Sequence, residues 1–363
     1  MRNTKWTWRV FFAGLALLII GGIGFAFTFN GNVIEKGEAY NKTFTLTDDK
    51  VENITLNMEH DSNIIFKESQ NGKNYVEVSG HYTKSEIEQI KTTEVQNDGT
   101  TLNLEVKNKE PFVDFMKINI YGKQEITIYL NKEQALKELV VEGNSSDMMV
   151  SDGSLQTLKV SASSGEIQLE RTNADQISVN NDSGDTRLVD LTGDTNVKAS
   201  SGEIEAARID GDLTTETTSG DIDAENVTGS AIKLVSNSGS ISADNFSAKQ
   251  ISLETNSGDI EGSQLDGKVH STSSSGSIEL DGLGASASAK TSSGDIELAF
   301  NQEPKTVTVD SNSGEVNVTL PAGIKAIYNV RSDSGDIKMP NNSKNASSEI
   351  NAVTSSGDIK ISD

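Results

Sequence analysis

The chain has 363 residues, no cysteine, 5% aromatic residues and a formal net charge of −23. The missing cysteine excludes disulfides, thiol chemistry and Cys-based metal sites. The acid excess excludes a nucleic-acid partner, whose phosphates need basic side chains. After residue 140 the aromatic residues are Phe246, Phe300 and Tyr328 alone. A globular core leans on such large side chains, whereas thin stacked layers are filled by Ile, Val, Leu, Ala and Thr.

Residues 1–9 carry Arg2, Lys5 and Arg9 and no acid. They precede VFFAGLALLIIGGIGFAFTF (10–29), a 20-residue uncharged apolar run. As a helix it is long enough to cross about 30 Å of hydrocarbon. The basic flank predicts a cytoplasmic N-terminus, with Trp6 and Trp8 at the interface. A cleaved signal peptide is the competing reading. The run is too long for an h-region, however, and no A-x-A-like site follows. The expectation is a single-pass cell-membrane anchor, with the bilayer as partner through 10–29. Residues 30–44 then form a linker, and everything beyond about Asn30 is extracytoplasmic.

Residues 45–140 are strand-like, as in VENITLNM, YVEVSG, TLNLEV and EITIYL. They predict irregular β lead-in coils and a cap, with Lys84–Glu94 as a loop or short helix. A separate small β domain is the alternative. Asp61-Ser62-Asn63-Ile64 faintly echoes the motif that dominates the rest of the chain.

That motif, Ser-Gly-acid/Ser followed by Ile, Val or Thr, recurs eleven times over 141–363. Its glycines are Gly165, Gly184, Gly202, Gly220, Gly239, Gly258, Gly276, Gly294, Gly314, Gly335 and Gly357, spaced 18 or 19 residues to Gly294, then 20, 21 and 22. Ser145-Ser146-Asp147-Met148 is a degenerate twelfth copy. A fixed period held over 200 residues is the mark of a solenoid. Six and four residues before most motif serines stand apolar side chains, such as Leu158 and Val160, or Ile251 and Leu253. Two before stands a small residue. A step of two marks a strand with one face inward, and the small column marks a corner where the layer narrows. Glycine supplies the bend through positive φ, with neighbouring Ser, Asn and Asp capping freed backbone donors. A second strand follows, with Ile167, Ile204, Ile222, Ile241, Ile260, Ile278 and Ile296 inward. The predicted fold is therefore all-β, a parallel β-solenoid (β-helix) of 18–22-residue coils behind one N-terminal transmembrane helix. The chain ends on a fresh repeat, Ser356-Gly357-Asp358-Ile359, which should leave an open parallel edge.

Stacking would align the acids after the glycines into a ladder: Glu166, Asp185, Glu203, Asp221, Asp259 and Asp295. These are candidates for a row of bound cations, Ca²⁺ above all. One carboxylate per coil is nevertheless few for an ion that takes six or more oxygens, and turn capping is the plainer role. His60, His81 and His270 share no spacing that suggests a triad or zinc site. Neither a G-x-S-x-G elbow nor a phosphate loop occurs. The residues thus predict no catalytic site and no cofactor.

An anchor, an irregular β region and repeated S-G-D-I together resemble a bacterial adhesin-type family, formally a domain of unknown function, over roughly residues 45–363. Most similar are its membrane-anchored members associated with envelope-stress sensing. The resemblance implies an envelope protein without established catalytic residues. Asn131 stands where a proline would often follow Ile128-Tyr129-Leu130. The expected function is a non-catalytic scaffold, an adhesin or cell-envelope binding protein whose partner is wall polymer, a surface ligand or an envelope-stress membrane protein. An accessory role in a stress response is the alternative, and a carbohydrate-active enzyme the third reading.

Overall fold

The computed structural model describes residues 34–47, 50–107, 118–120, 123–131 and 136–363. The anchor assigned to 10–29 lies outside them. Among the described residues no helix is long and apolar enough to cross a membrane.

The fold is the expected parallel β-solenoid. Period-2 alternation puts Leu213, Thr215 and Thr217 inward on strand Leu213–Thr217, and Ile222 and Ala224 inward on strand Ile222–Thr228. Each strand pairs in parallel with its counterpart one repeat away, as in Ile204↔Ile222↔Ile241↔Ile260. The inward columns coincide with those read from the repeat, and their apolar members are almost wholly buried. No single coil could bury its own face, so stability resides in the contacts between neighbours.

Two features of the corner differ from the sequence reading. The first is the reason for glycine. A Cβ on Gly184 would lie 2.1 Å from the carbonyl oxygen of Gly165, and one on Gly220 1.8 Å from that of Gly202. The coils approach so closely there that backbone rests on backbone, so close contact demands glycine throughout the column. Positive φ applies at only some of these positions, for example Gly165 at 110°. The second is the small column, which is a polar staple as well as a narrow place. Ser236 Oγ donates to Gly220 O (2.9 Å) and accepts from Gly239 N (2.8 Å). Thr255 and Ser273 repeat the pattern one and two coils on.

Another column was not anticipated. Asp152, Arg171, Asp190, Arg208, Asn226, Asn245 and Gln264 all sit at φ between 46° and 61°, and Gly282 continues the row at 67°. This left-handed residue bends the chain between the second and third inward positions of each coil. For side chains other than Gly, Asn and Asp such a backbone costs about 1–2 kcal/mol. The signal in the sequence was weak but present: Asp, Asn and Gly, all tolerant of that conformation, recur in register.

The coils do not stack in chain order at either end. Near the N-terminus, strand Asn53–Met58 lies between Thr101–Val106 and Leu136–Ser145. Strand Ser62–Glu68 likewise lies between Gln124–Leu130 and Met148–Ser151. The corner echo at Asp61–Ile64 is offset by two residues: Ser62 pairs with Met148 and Ile64 with Val150, so Asp61 stands in the acid column and Ile64 in the second inward column. The outermost coil here is the second one in sequence. At the C-terminus, strand Ser348–Ser356 lies between Thr306–Ser313 and Ala326–Ser334. Strand Ile359–Ser362 lies between Val316–Thr319 and Ile337–Lys338. The expectation that the last repeat forms an open edge is thus corrected. The last repeat is internal, and the penultimate coil, Ala326–Lys338, is the end of the rod.

The two ends are finished differently. At the N-terminal end, Tyr75–Tyr82 pairs antiparallel with Gln124–Leu130, and Glu38–Thr45 pairs antiparallel with Tyr75–Tyr82. The segment 84–94, read as a loop or short helix, is helical over Lys84–Thr92. It begins with a capping box in which Thr83 Oγ1 accepts from Glu86 N and Glu86 accepts from Thr83 N. It packs Ile87 and Ile90 onto the core. Among the described residues no comparable cover lies over Ala326–Lys338, where a loop bonds only Ala326 and Tyr328 on the outer side.

Candidate functional site

The predicted acids do form one line. Register places Glu166, Asp185, Glu203, Asp221, Asp259 and Asp295 at the same corner of successive coils, all solvent-exposed. Their chemistry is local. Asp185 accepts from Glu203 N (2.9 Å), Asp221 from Ser240 N (2.8 Å), Asp259 from Ser277 N (2.8 Å) and Asp295 from Glu315 N (2.7 Å). Each aspartate thus commits one carboxylate oxygen to an N–H of the next coil, freed because the corner breaks the ladder. Burial pushes the Glu203 carboxyl up, and Glu205, Asp185, Asp223 and Asp221 add to the effect. Among the described residues no three His, Asp or Glu side chains converge as a metal site would require.

The left-handed column carries a second charged line. Arg171 binds Asp152 through Nε (2.7 Å) and Nη2 (3.2 Å), and Arg208 binds Asp190 in the same way (2.5 and 3.1 Å). The arginine hydrogen bonds hold the Asp152 and Asp190 carboxyls below the usual range. These pairs are exposed and tie neighbouring coils together; pairs of this kind contribute little individually.

On the strand face after the corner, a shallow hollow of about 430 Å³ is lined by Asp244, Glu261, Glu279 and Asp281 together with Ser242 and Ser263. It lies over Gly262, where neighbouring coils carry Ala243 and Leu280. In the cap, Glu86 is fully buried and receives His60 Nε2 at 2.7 Å as well as Thr83 N. Burial pushes its carboxyl up, but the hydrogen bonds from His60 and Thr83 outweigh this and hold it below the usual value. His60 therefore fastens the cap helix to the corner that leads into Ser62. Sequence spacing could not show it, because the partners are 26 residues apart on unlike elements.

Among the described residues, large apolar side chains become exposed only near the open end. These are Ile327 (43%), Ile337 (40%), Met339 (45%) and Val353 (43%). Ile337 occupies the column in which Ile359 is 1% exposed.

Among solved structures the chain is similar to a candidate cell adhesion protein from Clostridium sporogenes at 12% identity, over 90% of this chain and 99% of that one, with a TM-score of 0.24. It is also similar to a candidate adhesin from Parabacteroides merdae at 14% identity, over 79% and 98%, TM-score 0.32. A third, a candidate lipid-binding protein from Parabacteroides distasonis, is 15% identical over 79% and 99%, TM-score 0.28. No curated protein matches the sequence. The Toastrack DUF4097 family model matches residues 51–225 and again 194–362, so together the two matches span nearly the whole solenoid. The chain belongs to the Toastrack family of DUF4097 domains.

Proposed function

We infer that this protein is a non-catalytic extracytoplasmic rod, held in the cell membrane by residues 10–29, that presents its distal end and polar faces to cell-envelope polymer or to another surface. The observation that carries this reading is where the polar side chains are used. The corner aspartates, the Ser/Thr staple and the Asp–Arg pairs all bond backbone or neighbouring coils. The repeat therefore sets the length and stiffness of the rod, and the unlike ends give it a direction. Full-length protein in lipid nanodiscs, incubated with purified wall polymer with and without Ca²⁺, tests the reading. Retention that is lost on deleting 141–363 supports it, and no retention in either condition overturns it. A gain with Ca²⁺ that disappears in Asp221→Asn/Asp259→Asn would restore the corner ladder as a cation row.

A further inference from the structure

We propose that the open end of the rod, the coil Ala326–Lys338, is a contact surface for a second copy of this chain, joined end to end about a two-fold axis at Ser332. The inference goes beyond the binding role above and does not depend on it.

Four observations carry it. Exposed large apolar side chains cluster here: three of the four lie in 327–339, and the fourth, Val353, is on the strand beside them. The charge is suited to self-association. Residues 325–339 hold three bases (Lys325, Arg331, Lys338) and two acids (Asp333, Asp336), a balance of +1 in a chain of −23. Two such chains repel along their lengths but not at this coil.

The free edge also has a definite extent. On strand Ala326–Ser334 one edge pairs with Ser348–Ser356. On the other, Ser343 N donates to Ala326 O (3.0 Å), and Asn342 Oδ1 accepts from Tyr328 N (2.6 Å). The loop thus occupies the first three residues and, among the described residues, leaves the stretch around Ser332, while Ser334 O accepts from Gly357 N of its own chain (3.1 Å). Antiparallel self-pairing about Ser332 sets Val330 against the partner's Ser334, and Arg331 against the partner's Asp333. Opposite charges directly across a strand pair are favourable. Within one chain these two side chains already meet, with Arg331 Nε 3.0 Å from Asp333 Oδ1, so the same charges are placed to exchange between copies.

Finally, the other end of the rod is covered by Tyr75–Tyr82 and Glu38–Thr45. Head-to-tail growth is blocked, and an isologous contact closes at two copies.

The test uses the full-length chain in detergent. Sedimentation or light scattering should give twice the monomer protein mass. Arg331→Glu, at a side chain 75% exposed, should weaken association at least tenfold with the melting midpoint unchanged. The exchange Arg331→Asp/Asp333→Arg should restore the dimer. Because the chain has no cysteine, Arg331→Cys and Asp333→Cys chains should form an intermolecular disulfide when mixed, and far less when each is oxidised alone. A wild-type chain that stays monomeric at every concentration overturns the proposal. So does a dimer undiminished by Arg331→Glu, or equal cross-linking in the mixed and separate samples. Should Arg331→Glu fail to fold, the cysteine mixture still decides.

Discussion

The two ends of the solenoid solve the same topological problem and then part. Each inserts its terminal repeat beneath the neighbouring one, so Asn53–Glu68 and Ser348–Ser362 are both held on two sides. The N-terminal end then adds two antiparallel strands and a capped helix, while among the described residues the C-terminal end adds only the loop that bonds Ala326 and Tyr328. A stack of equivalent layers has no internal reason to end. The difference therefore shows that termination is a separate structural task, performed here by non-repeat sequence at one end and left undone at the other.

The largest expected effect separates the middle from the open end. Gly220→Ala drives a Cβ into Gly202 O at 1.8 Å with coils on both sides, and should cost about 3 kcal/mol or more in denaturant unfolding. Gly335→Ala also meets a carbonyl oxygen far inside van der Waals contact, that of Gly357, at 2.1 Å. Its coil can peel away without disturbing the rest, so the loss should be about 1 kcal/mol or less. Equal losses would show that the rod unfolds as one unit and has no weaker end.

Next comes the cap. Glu86→Ala removes the carboxylate that His60 Nε2 and Thr83 N meet, and should cost about 2–3 kcal/mol locally. Hydrogen exchange should quicken over 75–92 and not over 204–260. The same group sets an acid response. Folding lowers the Glu86 pKa, so its stabilisation is present above the unfolded carboxylate value of about 4.3. It is lost as pH falls through the lower folded value. On acidification the cap should open before the open-ended coil changes; simultaneous loss would remove Glu86 from that role.

A smaller effect tests the staple. Ser273 Oγ bridges Gly258 O and Gly276 N, whereas Ser271 Oγ two residues earlier is buried without a partner. Ser273→Ala should lower stability by about 1–2 kcal/mol and Ser271→Ala should leave it equal or higher. Smallest is Ile337→Thr, which removes a side chain already 40% exposed. It should move the melting midpoint by less than about 0.5 kcal/mol equivalent, while Ile296→Ala in the same column of the interior should cost about 2–5 kcal/mol.

Much of this was legible in the sequence. Leu158, Ile177, Leu213 and Ile251 announced one inward line, Ile204 through Ile296 another, and the motif glycines located the corner between them. The order of the end coils was not legible. Every repeat presents the same pattern to its neighbours, so Val307 accepts Ile350 as readily as it would Tyr328. The only trace was the lengthening of the last two spacings to 21 and 22 residues, chain needed to pass around a coil. The hydroxyl staple shows in the sequence only as smallness, because Ser, Thr and Ala share a size but not a hydrogen bond. For the candidate site, the acids were placed on one line correctly. Their use as caps for the next coil's N–H depends on a break in the ladder that spacing alone does not reveal.

The inserted terminal repeat also bears on how the rod answers to force. Tension applied at Asp363 enters through Ile359–Ser362, which is bonded to Val316–Thr319 on one side and Ile337–Lys338 on the other. Extraction must shear two ladders at once, whereas a chain that ended on its outermost coil would be unzipped one bond at a time. The weakest layer of the rod is thus shielded from the place where a tether at the C-terminus would pull.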